Sequence, residues 1–214
     1  MADVTARYGG TRLGRQELLG EIIGDVEGAL WTRDLVERCR AGPRPPTGRV
    51  VIGVDPPVSA GGDACGILVC GLGDDGLAYV LADHSVAGLS PEGWARCVAA
   101  AAEAHGADRI VAEGNQGGEM VASVLKAADC ALPVRLVHAR RGKAARAEPV
   151  AALFESGKAW FAGAFPELED QLCGLQIGGS YAGPGRSPDR ADAMVWALTE
   201  LMLRGKGEPS VRGL

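Results

Sequence analysis

Four carboxylates stand at places where solubility alone does not call for them. Asp55 closes the β-branched stretch Arg49-Val-Val-Ile-Gly-Val54, and Glu113 closes the shorter stretch Arg109-Ile-Val-Ala112. Asp189 and Asp192 are three residues apart and lead into the apolar run Ala193-Met-Val-Trp196, a spacing that puts both on one helical face. Each has an ordinary reading: an Asp before Pro56 suits a turn, a strand-end Glu suits solvent, and Asp189 favours a helix N-terminus. Brought together, they suit hard divalent cations, Mg2+ or Mn2+. A two-metal site of that kind hydrolyses phosphodiesters, one cation activating water and the other stabilising the leaving 3′ oxygen. The expected catalytic and metal-binding set is therefore Asp55, Glu113, Asp189 and Asp192, with Asp55 shared between the metals. Asp63 is an accessory candidate whose plainer reading is a hairpin-end charge.

For these side chains to meet, the strands ending at Asp55 and Glu113 must lie side by side and parallel. Arg49–Val54 reads as strand one, stopped by Pro56 and Pro57. Residues 65–72 and 77–83 flank Gly73-Asp-Asp-Gly76, a hairpin signal, so strands two and three are antiparallel. Ser90-Pro91 opens a helix that ends near Gly106; strand four follows, then a glycine-rich turn, a helix over 118–128 and strand five over 134–137. Strand, helix, strand implies parallel pairing there. Further helices are expected near 149–156 and 166–175, and a last one begins at Ser187-Pro188. The pattern is a mixed five-stranded α/β sheet, three antiparallel strands then two parallel, with helices on both faces. Residues 1–48 read as a lead-in helix, from about Arg15 to Arg40, and a Pro-rich linker; 49–204 form the domain; 205–214 form a tail.

Arg135, Arg140, Arg141, Lys143 and Arg146 put five positive charges within twelve residues after strand five. Such a run is usually a solvated face, but here it follows a strand that ends near the carboxylates, and phosphate binding by Arg140, Arg141, Lys143 and Arg146 is expected. Asn115 and Gln116, in the turn after Glu113, are expected to approach DNA as well. His138 is left out of the catalytic set, because metal-bound water needs no such base.

The composition narrows the class. The 214 residues are 47% hydrophobic and 23% charged, which suits one globular domain. A net charge of −5 argues against a protein that coats nucleic acid by bulk positive charge, though not against a nuclease with a local basic patch. Six cysteines without a C-x-x-C pair argue against a zinc site or a disulfide framework, and no apolar run is long enough for a membrane span. A cytoplasmic protein is expected.

At Gly53-Val-Asp-Pro56, Glu113-Gly-Asn-Gln-Gly-Gly118, Lys143 with Arg146–Val150, and Asp189-Arg-Ala-Asp-Ala193, the chain resembles the nuclease domain of phage large terminase subunits. Gly10–Glu17 and Gly28–Trp31 resemble the segment that joins ATPase and nuclease in that family, including prophage and gene-transfer-agent members. The resemblance implies an RNase H-like fold and metal-dependent cutting of double-stranded DNA during packaging in the host cell. It also implies the ATPase domain, the small terminase subunit and the portal as partners. Many relatives carry His-Asp-Asp where this chain has Ser187-Pro188-Asp189, so whether Asp189 or Asp192 is the essential ligand stays open. The ATPase half is not expected in this chain: Gly-Lys pairs at 142–143, 157–158 and 205–206 are followed by Ala or Gly, never by the Ser or Thr of a P-loop. The chain reads as a fragment, or as a nuclease whose motor is encoded separately. A Holliday-junction resolvase-like nuclease and a non-catalytic docking domain remain as alternatives.

Overall fold

Strand β1 (Thr47–Asp55) runs through the middle of the sheet, and its side chains alternate between two cores. Val50, Ile52 and Val54 enter one apolar cluster, while Val51 enters the other. The computed structural model describes residues 25–41, 47–57, 64–115, 117–128, 132–139 and 142–204. Asp63, Gln116, Arg140, Arg141, the tail and most of the lead-in lie outside the described residues.

The remaining strands are β2 (Gly66–Gly73), β3 (Ala78–Asp83), β4 (Arg109–Glu113), β5 (Val134–Val137) and β6 (Ala159–Phe161). They form one sheet in the order β5-β4-β1-β2-β3-β6, with β1, β2 and β3 antiparallel and β4 and β5 parallel to β1. The hairpin between β2 and β3 closes as its residues dictate. Gly76 takes φ 77° and donates to the Gly73 carbonyl, while Asp75 accepts from the Leu77 amide. The sheet has six strands where the sequence suggested five. The extra strand, β6, is three residues long and pairs in parallel with β3, too short to leave a period-two pattern.

Helices α2 (Pro91–His105) and α3 (Gly118–Ala127) pack on one face with Trp94, Val98, Val121 and Leu125. Ser90 caps α2 and Gly106, at φ 57°, ends it. The other face carries α1 (Arg33–Arg38), α4 (Lys143–Glu155), α5 (Pro166–Leu172) and α6 (Asp189–Leu198). Helix α4 begins six residues before the expected start and holds Pro149 in its interior. Its inward residues Ala147, Val150, Ala151 and Phe154 explain why the helix continues through the proline. Helix α5 stops at Leu172, short of the expected 175. Over the described part of the lead-in only Arg33–Arg38 is helical. Trp31, Leu35, Val36 and Cys39 are buried against this face and join its apolar cluster. Arg33 pairs with Asp170, and Arg40 with Glu169, fastening that segment to α5. Among the described residues no helix is long and apolar enough to cross a membrane.

Helix α6 lies almost in contact with the sheet backbone. A Cβ added at Gly53 would come within 1.9 Å of the Ala193 carbonyl oxygen, and one at Gly66 within 2.0 Å of the Asp189 carbonyl oxygen. Only glycine permits that approach. Gly53→Ala and Gly66→Ala are expected to cost about 3 kcal/mol or more each, because the obstacle is backbone and cannot rotate away. Thermal melting measures this; a variant that melts like the wild type would mean that α6 does not sit so close.

Candidate active site

The alternation that builds the core also aims the carboxylates. Gly53 and Asp55 share the parity of Val51 and so face α6, and Glu113 shares the parity of Val111 on the same face. Val54 is in parallel register with Ala112, so Asp55 and Glu113 end neighbouring strands at the same edge. Asp55 is opposite Gly66, the residue over which the first turn of α6 passes. That turn carries Asp189 and Asp192, both buried. Its position is set from outside the helix: Gln171 Oε1 accepts the Arg190 and Ala191 amides, and Arg190 Nε donates to Asp83 Oδ2 at the end of β3.

The electrostatics follow from this crowding. Burial pushes the Asp55 carboxyl well above the ordinary carboxylate range, and the charges of Asp192, Glu113 and Asp189 push it further; Lys143 opposes them. Asp192 is also raised, chiefly by burial, which outweighs the attraction of Lys143 and Arg146. Burial, and then the negative charges of Asp55 and Asp189, raise the Cys65 thiol too.

Two cations stand among these groups. Lys143 Nζ is 2.6 Å from Asp192 Oδ2 and donates to Ser187 Oγ at 3.0 Å. Arg146 bridges Glu113 Oε2, at 3.2 Å, and Asp192 Oδ1, at 3.4 Å, with its guanidinium 4.5 Å over the Trp196 ring. Glu113 is held further by Trp196 Nε1, at 3.0 Å, and by Asn115 Nδ2, at 2.8 Å; Asn115 Oδ1 in turn accepts the Ala139 amide. Lys143, Arg146 and Asn115, expected to meet phosphate, are thus in contact with the carboxylates themselves. Arg135, of the same basic run, turns instead to Glu200.

The donor set fits hard divalent cations. It consists of oxygen ligands alone, on three elements, and burial, with the charges of Asp192, Glu113 and Asp189 added to it, raises the Asp55 carboxyl in a way that a bound cation would offset. Asp192 Oδ2 is buried and, despite its close ion pair with Lys143, receives no directed hydrogen bond. Among the described residues no three Asp, Glu, His or Cys side chains are already closed into a metal cluster; Lys143 pairs with Asp192, and Arg146 with Glu113 and Asp192, as counter-charges.

Trp196, Gln171 and Ser187 were not singled out from the sequence. Trp196 had a signal, since it lies four residues after Asp192 and therefore on the same helical face. Gln171 had none, because its partners are nineteen and twenty residues away.

A six-stranded mixed sheet with helices on both faces and acidic residues converging at the edge of its central parallel pair defines an RNase H-like domain. A model of the Terminase RNaseH-like domain family matches residues 52–201, and the chain belongs to that family of terminase nuclease domains. No curated protein matches it. Among solved structures it is similar to the large terminase nuclease of thermophilic phage G20c with bound cobalt, at 16% identity and a TM-score of 0.63, over 82% of this chain and 98% of that one. It is similar to the nuclease domain of the Sf6 large terminase subunit gp2 at 16% and 0.62, over 79% and 98%. It is also similar to the HK97 bacteriophage large terminase at 15% and 0.62, over 80% of this chain but 43% of that one. At such identities these likenesses establish the fold.

Proposed function

We propose that this chain is the DNA-cutting domain of a large terminase, a divalent-metal-dependent endonuclease that hydrolyses double-stranded DNA during viral-type packaging. The observation that carries the reading is the placement of Asp55, Glu113, Asp189 and Asp192 at one sheet edge, where burial, and then the charges of Asp192, Glu113 and Asp189, raise the Asp55 carboxyl. These four residues are the proposed ligands of a two-metal site taking Mg2+ or Mn2+. The bound cations would activate water and offset charge on the leaving 3′ oxygen. The protein's own part is positional. Gln171 and Arg190 seat α6, the two glycines let it approach, and Asn115, Trp196 and Arg146 orient Glu113. Lys143, 40% exposed, and Arg146 hold the carboxylates while no cation is bound and turn to phosphate oxygens once cations take their place. Arg140, Arg141 and Gln116 are proposed to add DNA contacts. The ATPase domain, small subunit and portal are the proposed partners, and the host cytoplasm the place of action.

Plasmid digestion tests the reading. Linear product is expected with magnesium or manganese and none with a chelator; no cutting under any divalent cation would favour the docking-domain alternative. Preference for a four-way junction over plain duplex would favour a resolvase. Crystals soaked in manganese are expected to show metal within about 2.5 Å of Asp55 and of at least one of Asp189 and Asp192. Asp189→Asn and Asp192→Asn should each slow cutting by orders of magnitude, and unchanged rates in both would remove α6 from the site.

A further inference from the structure

The parity that aims Asp55 and Glu113 at α6 aims three arginines the same way from the opposite ends of the parallel strands. Arg49 lies near the start of β1, Arg109 opens β4, and Arg135 is second in β5. Their guanidiniums converge on Glu200, at 3.4, 2.7 and 3.3 Å, and Arg204 joins them at 3.5 Å. Glu200 is carried by the π-helical turn Thr199–Leu203 that follows α6, closed by the Arg204 amide donating to the Thr199 carbonyl.

The Glu200 side chain is 4% exposed, whereas those of Arg49, Arg109, Arg135 and Arg204 are 41, 37, 37 and 42% exposed. Four positive charges against one negative leave three, in a chain whose total is −5. Neutralising one buried carboxylate needs one arginine. The others add mutual repulsion, and half-exposed pairs return little stability. Each guanidinium has about five N–H donors, so two carboxylate oxygens leave most of them turned outward.

The cluster is tied to the cutting edge. A cavity of about 400 Å³ is lined by Arg135, Glu200 and Arg204 and also by His138 and Trp196, and the Trp196 indole donates to Glu113. At ~3.3 Å per strand residue, Arg109 to Glu113 and Arg49 to Asp55 span about 13 and 20 Å. That is about four to six base pairs at ~3.4 Å each.

We propose that Arg49, Arg109, Arg135 and Arg204 form a second phosphate-backbone site that grips duplex DNA about four to six base pairs from the bond being cut. The inference rests on the nuclease reading above. Guanidinium forks match phosphate oxygens in pairs, and the cavity that holds this cluster reaches the carboxylate edge through Trp196; an acidic protein segment would have no tie to that edge.

The test is anisotropy of a labelled duplex of about 20 base pairs, with every variant made in an Asp55→Asn background so that DNA is bound without being cut. Arg135→Gln and Arg204→Gln leave Glu200 paired with Arg109. Each is expected to reduce the salt slope by about 0.9 and affinity roughly eightfold at 0.1 M salt, one contact's share of counter-ion release. Glu200→Gln, which raises the cluster's charge, is expected to tighten binding; a purely structural cluster would weaken it in all three and lower their melting temperatures. Unchanged affinity and slope in both arginine variants, or weaker binding in Glu200→Gln, overturns the proposal. So does polyglutamate displacing the duplex as effectively as unlabelled duplex, which would assign the cluster to an acidic protein partner. Cutting by the unsubstituted chain is measured alongside: if it persists, only the second site fails, and if it is absent, the nuclease reading fails too.

Discussion

Asp55→Asn is expected to abolish plasmid cutting and at the same time to stabilise the metal-free protein. The substitution keeps the shape of the side chain and removes the charge that burial, Asp192, Glu113 and Asp189 all disfavour. Loss of one preorganised electrostatic group typically costs a hundred- to thousandfold in rate, and Asp55, which feels the charges of the other three, should lie at or beyond the upper end. The stability effect has a definite sign. A carboxyl raised in the folded state contributes fully below its ordinary pKa of 3.8, and that contribution is lost as pH rises through the window above it. Asparagine has no such loss. With a chelator present, the melting temperatures of variant and wild type should therefore agree near pH 4 and diverge toward pH 7, where the variant gains about 1 kcal/mol, or ~2–4 °C. Wild-type cutting by the variant would remove Asp55 from the mechanism, and a variant whose stability gain over the wild type does not grow from pH 4 to pH 7 would contradict the crowding.

Arg146→Met should do the reverse. The Arg146 side chain is 11% exposed, pairs with both Glu113 and Asp192, and lies over Trp196. Methionine keeps much of the packing and leaves the carboxylates with only Lys143. Breaking a buried pair from one side costs about 3–5 kcal/mol, and Glu113, at 19% exposure, argues for the lower figure. A fall of roughly 6–12 °C is expected in chelator. Manganese should recover more stability in the variant than in the wild type, because there only Lys143 is left to offset the carboxylates. Lys143→Met should have a smaller effect, since Lys143 is 40% exposed and reaches water readily. A variant that melts like the wild type, or a gap that manganese does not narrow, would show that Arg146 does not offset the charge of these carboxylates.

The sequence by itself determined much of this protein. Runs such as Val50–Val54 and Ile110–Ala112 mark strands, Gly73-Asp-Asp-Gly76 marks a hairpin, and Ser90-Pro91 marks a helix start, because each depends on chemistry within a few residues. The same local rules put Asp55 and Glu113 at strand ends and Asp189 and Asp192 on one helical face. What surrounds the carboxylates was decided by tertiary structure alone. Lys143 and Arg146 look from sequence like part of a solvated basic run; only the packing of α4 beside α6 turns them onto Asp192 and Glu113, while Arg135, on a strand of fixed parity, is sent to Glu200. Gly53 and Gly66 carry no local signal beyond being glycines, and their role exists only because α6 crosses them within van der Waals distance. Side-chain periodicity is a property of one element and can be read along the chain, whereas the partner a charge finds depends on which elements meet, a question that long-range packing answers.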